Sequence, residues 1–307
     1  MSLKKLRIMD WYVHQGHQYE FFKTGHKFFL SSVGGEIPDW NTNHRPLNKN
    51  LRLCRESVQL KTKFDVVIVR SPLHKFRYNP FLSRNAVPVA VVQTTEPFNI
   101  PEWVRHIVWN SKFVMSKWKS RFPKSKHFYI PHGYDPDEFV KRDFDKNGRI
   151  LSVLNVFKDR SYFLGYDIWK GVSSETGLCD IVGHGNDGMK ESAGRADSLD
   201  ELIDIYNKYS VFFNPTAHSA MPRSRAEAMM CGAPIVSTDN YDIGSYIRHR
   251  KDGFLTNDPG KLVKYLNLLL NDEDLAGEFG NRAREVAIRE FHIKDYIDRW
   301  NSLLYSL

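Results

Sequence analysis

The chain has 307 residues, of which 41% are hydrophobic and 26% are charged, and these values exclude a disordered or fibrous protein. No run approaches 18 consecutive apolar residues, so we expect no membrane-spanning helix. The first residues, MSLKKLRIMDWYV, predict a strand rather than a signal peptide, and the length predicts two domains. Three widely separated cysteines, Cys54, Cys179 and Cys231, predict neither disulfides nor a metal site and favour a reducing cytoplasm.

Charge is distributed unevenly along the chain. Residues 1–150 contain 26 Lys and Arg against 13 Asp and Glu, a net charge of +13, whereas residues 151–307 contain 18 against 23, a net charge of −5. This asymmetry favours an anionic partner for the first half. The alternative is a generally basic protein with solvated lysines.

Short, continuous β-branched runs alternate with amphipathic stretches. Such runs are typical of strands buried on both faces of a parallel sheet, and the helices between them complete a βαβα pattern. The sequence therefore predicts the α/β class. The predicted strands are 6–13, 65–69, 87–92, 106–109, 127–130, 149–154, 178–182, 210–213 and 234–238.

Two helix starts carry capping signals. Ser198 and Glu201 form a capping box, and Asp258 is a cap followed by Pro259 at the first helical position. Two further helices are predicted at 273–291 and 294–305.

The most specific block follows the predicted strand SVFF. Pro222 opens a helix whose free N–H groups, with Arg223, Ser224 and Arg225 in its first turn, predict an anion site. Glu227, one turn further along, is placed to accept hydrogen bonds from sugar hydroxyls. The alternative is an ordinary strand–loop–helix unit in which Glu227 forms a solvated salt bridge.

This block resembles the nucleotide-sugar site of retaining GT-B glycosyltransferases, the family-4-like glycosyl transferases group 1. The resemblance covers residues 110–300 well and residues 1–110 in outline. The matching motifs are Asn214-Pro215, Glu227-Ala228-Met229, Cys231-Gly232-Ala233-Pro234-Ile235-Val236 and Asp252-Gly253-Phe254-Leu255, together with IPHGYDPDEF at 130–139 and SKFVMSKWKSRF at 111–122.

The resemblance implies two Rossmann-like domains that face each other across a cleft. The segment 131–148, rich in Pro, Gly and charge, marks the boundary. We therefore expect an acceptor-binding domain at 1–143, a nucleotide-sugar-binding domain at 144–290, and a C-terminal helix at 291–307 that returns to the first domain.

The resemblance also assigns roles within the second domain. Glu227 matches the family's ribose-binding glutamate. The family's other glutamate, which contacts the donor sugar, falls on Ser219, so Arg223 or His218 is the candidate substitute.

The donor diphosphate and base have their own candidates. The family binds the diphosphate with an Arg and a Lys, for which Arg160 and Lys170 are the candidates and Lys158 is the fallback. The glycine-rich turn VGHGNDG, with Gly183 and Gly185, falls where the family's base-binding loop lies, and glycine permits close approach of the backbone. The alternative is that Arg160, Lys170 and Lys158 are surface charges on a loop.

In the first domain, the candidates follow two predicted strands. His14, Gly16 and His17 follow the first strand, in a loop expected to contact donor phosphate or acceptor, since carboxyl-end loops of parallel strands carry sites. A capping or surface role is the alternative. Glu96 stands where many relatives carry a histidine that contacts the donor sugar.

The implied reaction transfers a sugar from a nucleotide diphosphate donor, a UDP-sugar such as UDP-glucose, to a hydroxyl with retention at the anomeric carbon. We expect no cofactor, no obligate protein partner and no metal. Asp135 and Asp137, although they form an Asp-x-Asp motif, are interpreted as a turn and helix start.

The acceptor remains open between two kinds of molecule. Residues 112–126, which include Trp118, hold six basic residues and no acid, and residues 70–84 hold four basic residues beside aromatic ones such as Phe76. One interpretation is a cytoplasmic protein, peripheral at the inner face of a membrane, that glycosylates a glycan or lipid. The other is a DNA glycosyltransferase acting on a hydroxymethylated base.

Two other classes of protein stay possible on the sequence. A GT-B-fold epimerase or phosphorylase binds a similar donor, and a non-catalytic binder is consistent with the serine at position 219.

Overall fold

The computed structural model describes residues 4–70 and 78–307. The chain folds into two compact units: unit 1 comprises Met1–Gly133 with Lys294–Leu307, and unit 2 comprises Tyr134–Ile293. Each unit is built on a parallel sheet flanked by helices. The predicted α/β class with two Rossmann-like domains is confirmed. Among the described residues, no helix is both long enough and apolar enough to cross a membrane.

Unit 1 contains a seven-stranded sheet in the order β3-β2-β1-β4-β5-β6-β7. Its apolar strands are buried because helices cover the sheet. The strands are β1 Arg7–Trp11, β2 Lys27–Ser31, β3 Leu51–Leu53, β4 Val66–Val69, β5 Val87–Val92, β6 His106–Trp109 and β7 Lys126–Tyr129. The helices are α1 Gln15–Phe22, α2 Glu56–Leu60, α3 Asn79–Leu82 and α4 Lys112–Trp118, then a 3₁₀ turn at Lys119–Arg121.

Unit 2 contains a five-stranded sheet in the order β12-β11-β10-β8-β9. Strands β8 and β10 are neighbours, although the chain visits β9 between them, so the strand order reverses there. The strands are β8 Ile150–Val153, β9 Cys179–Val182, β10 Val211–Asn214, β11 Ile235–Ser237 and β12 Phe254–Leu255. The helices are α5 Ser161–Leu164, α6 Tyr166–Thr176, α7 Leu199–Lys208, α8 Arg223–Met230, α9 Ile243–Tyr246, α10 Pro259–Asn271 and α11 Glu273–Phe291, and α12 Ile293–Tyr305 follows.

The capping signals act as predicted. The Ser198 hydroxyl accepts a hydrogen bond from the Glu201 amide at 3.1 Å, and the Asp258 carboxylate accepts one from the Lys261 amide at 3.1 Å. Each satisfies an N–H group that the first helical turn leaves without a backbone partner.

All nine predicted strands are present, but β2, β3 and β12 were not predicted. Strand β2 follows α1 after a short turn, and both contain consecutive phenylalanines, so no change of periodicity separates them. Strands β3 and β12 have three and two residues, too few for a pattern. The predicted loop after β1 is also corrected, because α1 begins at Gln15 and includes Gly16 and His17.

The segment before residue 144 belongs to unit 2 rather than to the first predicted domain. The Tyr134 amide donates to the Phe291 carbonyl at 2.8 Å, and Tyr134 and Phe139 are both fully buried in the core of unit 2. Lys294–Leu307 belongs to unit 1, where the Trp300 ring lies 4.4 Å from the Phe21 ring.

Candidate functional site

The candidate site of unit 2 lies at the carboxyl ends of β8 and β10, where the strand order reverses. Open α/β sheets bind ligands at this position. The Phe163 carbonyl accepts hydrogen bonds from the Ala217 amide at 3.1 Å and the His218 amide at 2.9 Å. These bonds join the segment after β8 to the loop after β10. Gly165 permits this approach, because it has φ +74° and a Cβ there would collide with the Pro215 carbonyl oxygen.

An aromatic pair stands at this junction. The Tyr162 ring stacks on the His218 imidazole, with centroids 4.3 Å apart and planes at 19°, while Tyr162 is 69% exposed. His218 Nδ1 also lies 3.4 Å from the Tyr241 hydroxyl. Sequence reasoning named His218 but missed Tyr162, whose contact with His218 joins two loops far apart in the chain.

Glu227 is held inside a network on α8. Its side chain is buried, one carboxylate oxygen accepts from the Tyr206 hydroxyl at 3.1 Å, and the other accepts from Arg223 at 3.1 Å. The Arg223 guanidinium lies 4.8 Å from the Tyr134 ring centre. Burial, and then the Glu227 carboxylate, raise the pKa of Tyr206 well above its ordinary value, so the phenol keeps its proton and donates. The ion pair of Glu227 is therefore buried, not solvated.

The side chains of the three first-turn residues of α8, Arg223, Ser224 and Arg225, lie in different surroundings. Arg223 is four residues before Glu227 and shares its face, whereas Arg225 leaves the helix in another direction. Arg225 is buried and donates to the Tyr246 hydroxyl at 2.6 Å. Ser224 is half-buried. The structure thus brings Arg223 to Glu227 but directs Arg225 into the core.

The glycine-rich turn after β9 packs against the loop after β8. Gly183 has φ +149°, and a Cβ there would collide with the Leu154 carbonyl oxygen. The Asn155 side chain accepts from the His184 amide at 3.1 Å. Gly185 lies beside Val156 in the same contact. Glycine is required at position 183 because the two loops approach each other closely there. The contact of Gly183 with a nucleotide base stays a prediction.

The candidate diphosphate ligands are solvent-exposed. Arg160 precedes α5 in the loop after β8, and Lys158 lies in the same loop. Lys170 lies in the second turn of α6 and is therefore not part of that loop. None of the three forms a salt bridge within the part of the chain that the structure describes, and no contact links them to Glu227.

Three imidazoles lie in contact in unit 1, with their ring planes tilted. The His17 ring lies 4.4 Å from the His14 ring and 4.1 Å from the His132 ring. The Asn110 amide nitrogen is 3.1 Å from His132 Nε2. Sequence reasoning missed His132, although a signal was present: it replaces the asparagine of the family's Ile-Pro-Asn-Gly segment.

A buried ion pair joins the carboxyl ends of β1 and β4. The Arg70 guanidinium contacts both Asp10 oxygens at 3.0–3.1 Å, and Gln18 donates to Asp10 at 2.9 Å. Both charged side chains are at most 7% exposed. Glu96 is exposed in the loop after β5.

The Asp135 carboxylate accepts from the Asp137 amide at 3.1 Å, which is a local turn. Trp118 donates to the Thr95 carbonyl at 3.1 Å and has Lys117 and Arg121 about 5 Å from its ring. Phe76 lies outside the described residues.

Two α/β units with parallel sheets of these strand orders define the GT-B class of glycosyltransferase folds. A glycosyltransferase from Rickettsia africae ESF-5 has this fold with a TM-score of 0.74 at 15% identity over 99% of both chains. Alr3699/HepE of Anabaena, solved with UDP and glucose, has a TM-score of 0.76 at 12% identity, over 98% of this chain and 100% of that one. Residues 191–286 match the family model of the glycosyl transferases group 1, which confirms the predicted resemblance to that family.

One curated relative aligns over part of the chain. The poly(ribitol-phosphate) alpha-N-acetylglucosaminyltransferase of Staphylococcus aureus (strain COL) is 30% identical over 86 residues. The aligned segment is 27% of this chain and 17% of that relative, so the chain spans less than a fifth of that protein in the alignment.

Proposed function

We propose that this protein is a glycosyltransferase that moves a sugar from a UDP-sugar to a hydroxyl of an anionic glycan or phosphate polymer, with retention and without a metal. The observation that carries the proposal is the buried Glu227 carboxylate, held by Tyr206 and Arg223 inside the family segment. A fixed carboxylate accepts two hydrogen bonds from the neighbouring hydroxyls of a ribose.

The catalytic task is to stabilise the leaving diphosphate. Negative charge develops on it as the bond to the sugar breaks, and cations and helix N–H groups fixed in advance lower that energy. We assign this role to Arg160, to Lys170 with Lys158 as the alternative, and to the start of α8. Gly183 and Gly185 would adjoin the base.

The donor-sugar contact is assigned to His218. Ser219 lacks the carboxylate that the family uses, and the adjacent imidazole is already held by the Tyr162 ring and near the Tyr241 hydroxyl. In unit 1, Gly16 and His17 are assigned to donor phosphate or acceptor contacts, and Glu96 is assigned the catalytic role of the donor-sugar histidine of many relatives.

The substrate classes follow from the relatives and from charge. The Anabaena structure contains UDP and glucose, which supports UDP as the nucleotide. The name of the Staphylococcus relative supports a phosphate polymer as acceptor, and the net positive charge of unit 1 fits such an acceptor. The basic segment 112–126, which contains Trp118, supports a peripheral position at a membrane.

The test is a transfer assay with UDP-glucose and UDP-N-acetylglucosamine as donors. Poly(ribitol phosphate), anionic lipid vesicles and hydroxymethylated DNA serve as acceptors, and the readouts are UDP release and the mass and anomeric configuration of the product. The proposal predicts polymer glycosylation with retained configuration that survives EDTA. UDP release without a product, transfer only to DNA, or complete loss with EDTA contradicts it.

A further inference from the structure

A cationic cavity lies at the amino-terminal edge of the sheet in unit 1, away from the carboxyl ends where the loops carry the candidate site. It has a volume of about 620 Å³. Its lining residues are Lys4, Lys5, Arg7, Lys27, Lys63 and Asp65. We name this feature the lysine cleft.

Strand pairing places these charges together. Arg7 is the first residue of β1 and Lys27 the first of β2, and the two are register partners. Lys63 stands shortly before β4, the other neighbour of β1. The positive charges therefore converge because three adjacent strands start here, with Lys4 and Lys5 in the segment that leads into β1.

The lysine cleft has a large excess of positive charge. Its only lining carboxylate, Asp65, already accepts from the Arg7 amide at 2.7 Å and pairs with Lys4 at 3.7 Å. Within residues 4–70 and 78–307, Lys5, Lys27 and Lys63 form no salt bridge. Like charges held around one concavity repel each other, and an anion placed among them removes that repulsion.

The residues that line the lysine cleft favour a polyanionic chain over a lipid surface as the anion that binds there. An interfacial membrane site combines basic residues with apolar side chains that insert among the lipids. None of the six lining residues is apolar, and the surface is concave. These features fit a chain that carries successive phosphate groups better than a flat lipid surface.

We propose that the lysine cleft is a second binding site, separate from the transfer site, for the phosphodiester backbone of a polyanionic chain. The inference rests on the proposed function in one respect: it takes the polyanionic chain to be the acceptor polymer. Binding here retains the polymer on the enzyme through contacts that do not depend on which hydroxyl is glycosylated.

The experiment measures binding of long-chain inorganic polyphosphate to the full chain by calorimetry at several salt concentrations. The test variant is Lys5→Gln/Lys27→Gln/Lys63→Gln. The matched control is Lys251→Gln/Lys261→Gln/Lys264→Gln, which removes the same charge from exposed lysines of unit 2. Orthophosphate and vesicles of phosphatidylglycerol with phosphatidylcholine are the other probes, and UDP binding is measured on every variant.

We expect the test variant to lose at least about tenfold in polyphosphate affinity because three ionic contacts are removed, and we expect its salt slope to fall by about 0.7–0.9 for each lost phosphate contact. The control should stay within about twofold. Equal loss in both variants, no binding by the wild type, orthophosphate binding as tight as polyphosphate, or vesicle binding that depends on the same three lysines overturns the inference. UDP binding reports separately on the proposed function, because the lysine cleft does not contribute to it.

Discussion

The two units use charge in opposite ways. Unit 1 carries 24 Lys and Arg against 10 Asp and Glu, a net charge of +14, whereas unit 2 carries 20 against 26, a net charge of −6. In unit 2 the charges of Glu227 and Arg223 are buried and matched, whereas the candidate diphosphate ligands are exposed. In unit 1, Lys5, Lys27 and Lys63 of the lysine cleft are exposed and form no salt bridge within the described part of the chain.

This difference in charge matches the two kinds of ligand that we propose for the two units. Buried, hydrogen-bonded charges keep a fixed geometry, which suits a small ligand with defined hydroxyls and phosphates. Exposed lysines create a field and adapt to a partner of varying shape. Unit 2 should therefore be sensitive to single substitutions at its site, while unit 1 should respond to summed charge, except where its own charges are buried.

The buried pair of Asp10 and Arg70 is that exception, and it gives the largest expected effect. Arg70→Met leaves the Asp10 carboxylate buried without its cation, which should lower the free energy of unfolding by about 3–5 kcal/mol. Urea denaturation measures this. Glu36→Gln, which breaks the exposed pair with Arg55, is the control and should cost less than about 1 kcal/mol. Equal effects would show that burial does not distinguish the two pairs.

Arg160 tests whether single residues of unit 2 carry the reaction. Arg160→Ala should lower kcat about 10²–10³-fold, because one preorganised donor to a developing anion contributes that much. The same substitution at Arg195, whose side chain is 70% exposed beside Asp197, is the control. Wild-type turnover by Arg160→Ala, measured by UDP release, refutes the assignment.

Gly165 tests the junction of the two loops. Gly165→Ala forces a Cβ into the Pro215 carbonyl and strains a left-handed backbone, so we expect a loss of about 2 kcal/mol or more in stability. Gly171→Ala, in the exposed body of α6 where a Cβ meets no atom within 4 Å, should instead stabilise by up to about 1 kcal/mol. Thermal unfolding of both variants decides, and destabilisation of the same size in both contradicts the account.

His26 gives the smallest effect, a pH dependence confined to unit 1. Its Nδ1 accepts from the Leu6 amide at 3.1 Å and Nε2 lies 3.0 Å from the Asn301 side-chain oxygen, so the neutral ring fits. Burial lowers the pKa of His26. The unfolded chain then binds more protons, and stability should fall as pH drops below about 6.5 towards the lowered pKa.

The check on His26 is the slope of unfolding free energy against pH. His26→Gln should flatten this slope between pH 7 and 5, whereas the exposed His184→Gln should not. An unchanged slope in His26→Gln means that this imidazole does not couple stability to pH.

Local signals in the sequence predicted the α/β class, most of the strands and the helix caps. The caps at Ser198 and Asp258 and the apolar runs depend on neighbouring residues, so they could be read directly. Arg223 and Arg225 were predicted as equivalent, although the spacing of four between Arg223 and Glu227 already favoured the first.

Contacts between distant elements could not be predicted. Tyr206 belongs to α7 and reads as part of its apolar stripe, and nothing local shows that its hydroxyl reaches Glu227 on α8. The pairing of Arg70 with Asp10 and the convergence of lysines at the cleft likewise depend on which strands lie side by side.

The most direct test of the account is calorimetric binding of UDP to the wild type, Glu227→Gln and the exposed control Glu175→Gln. We predict that the wild type and the control bind equally, and that Glu227→Gln binds at least about tenfold more weakly, since a hydrogen bond to a charged group contributes about 1.5–3 kcal/mol. No UDP binding by the wild type, or unchanged affinity in Glu227→Gln, would contradict the proposed site.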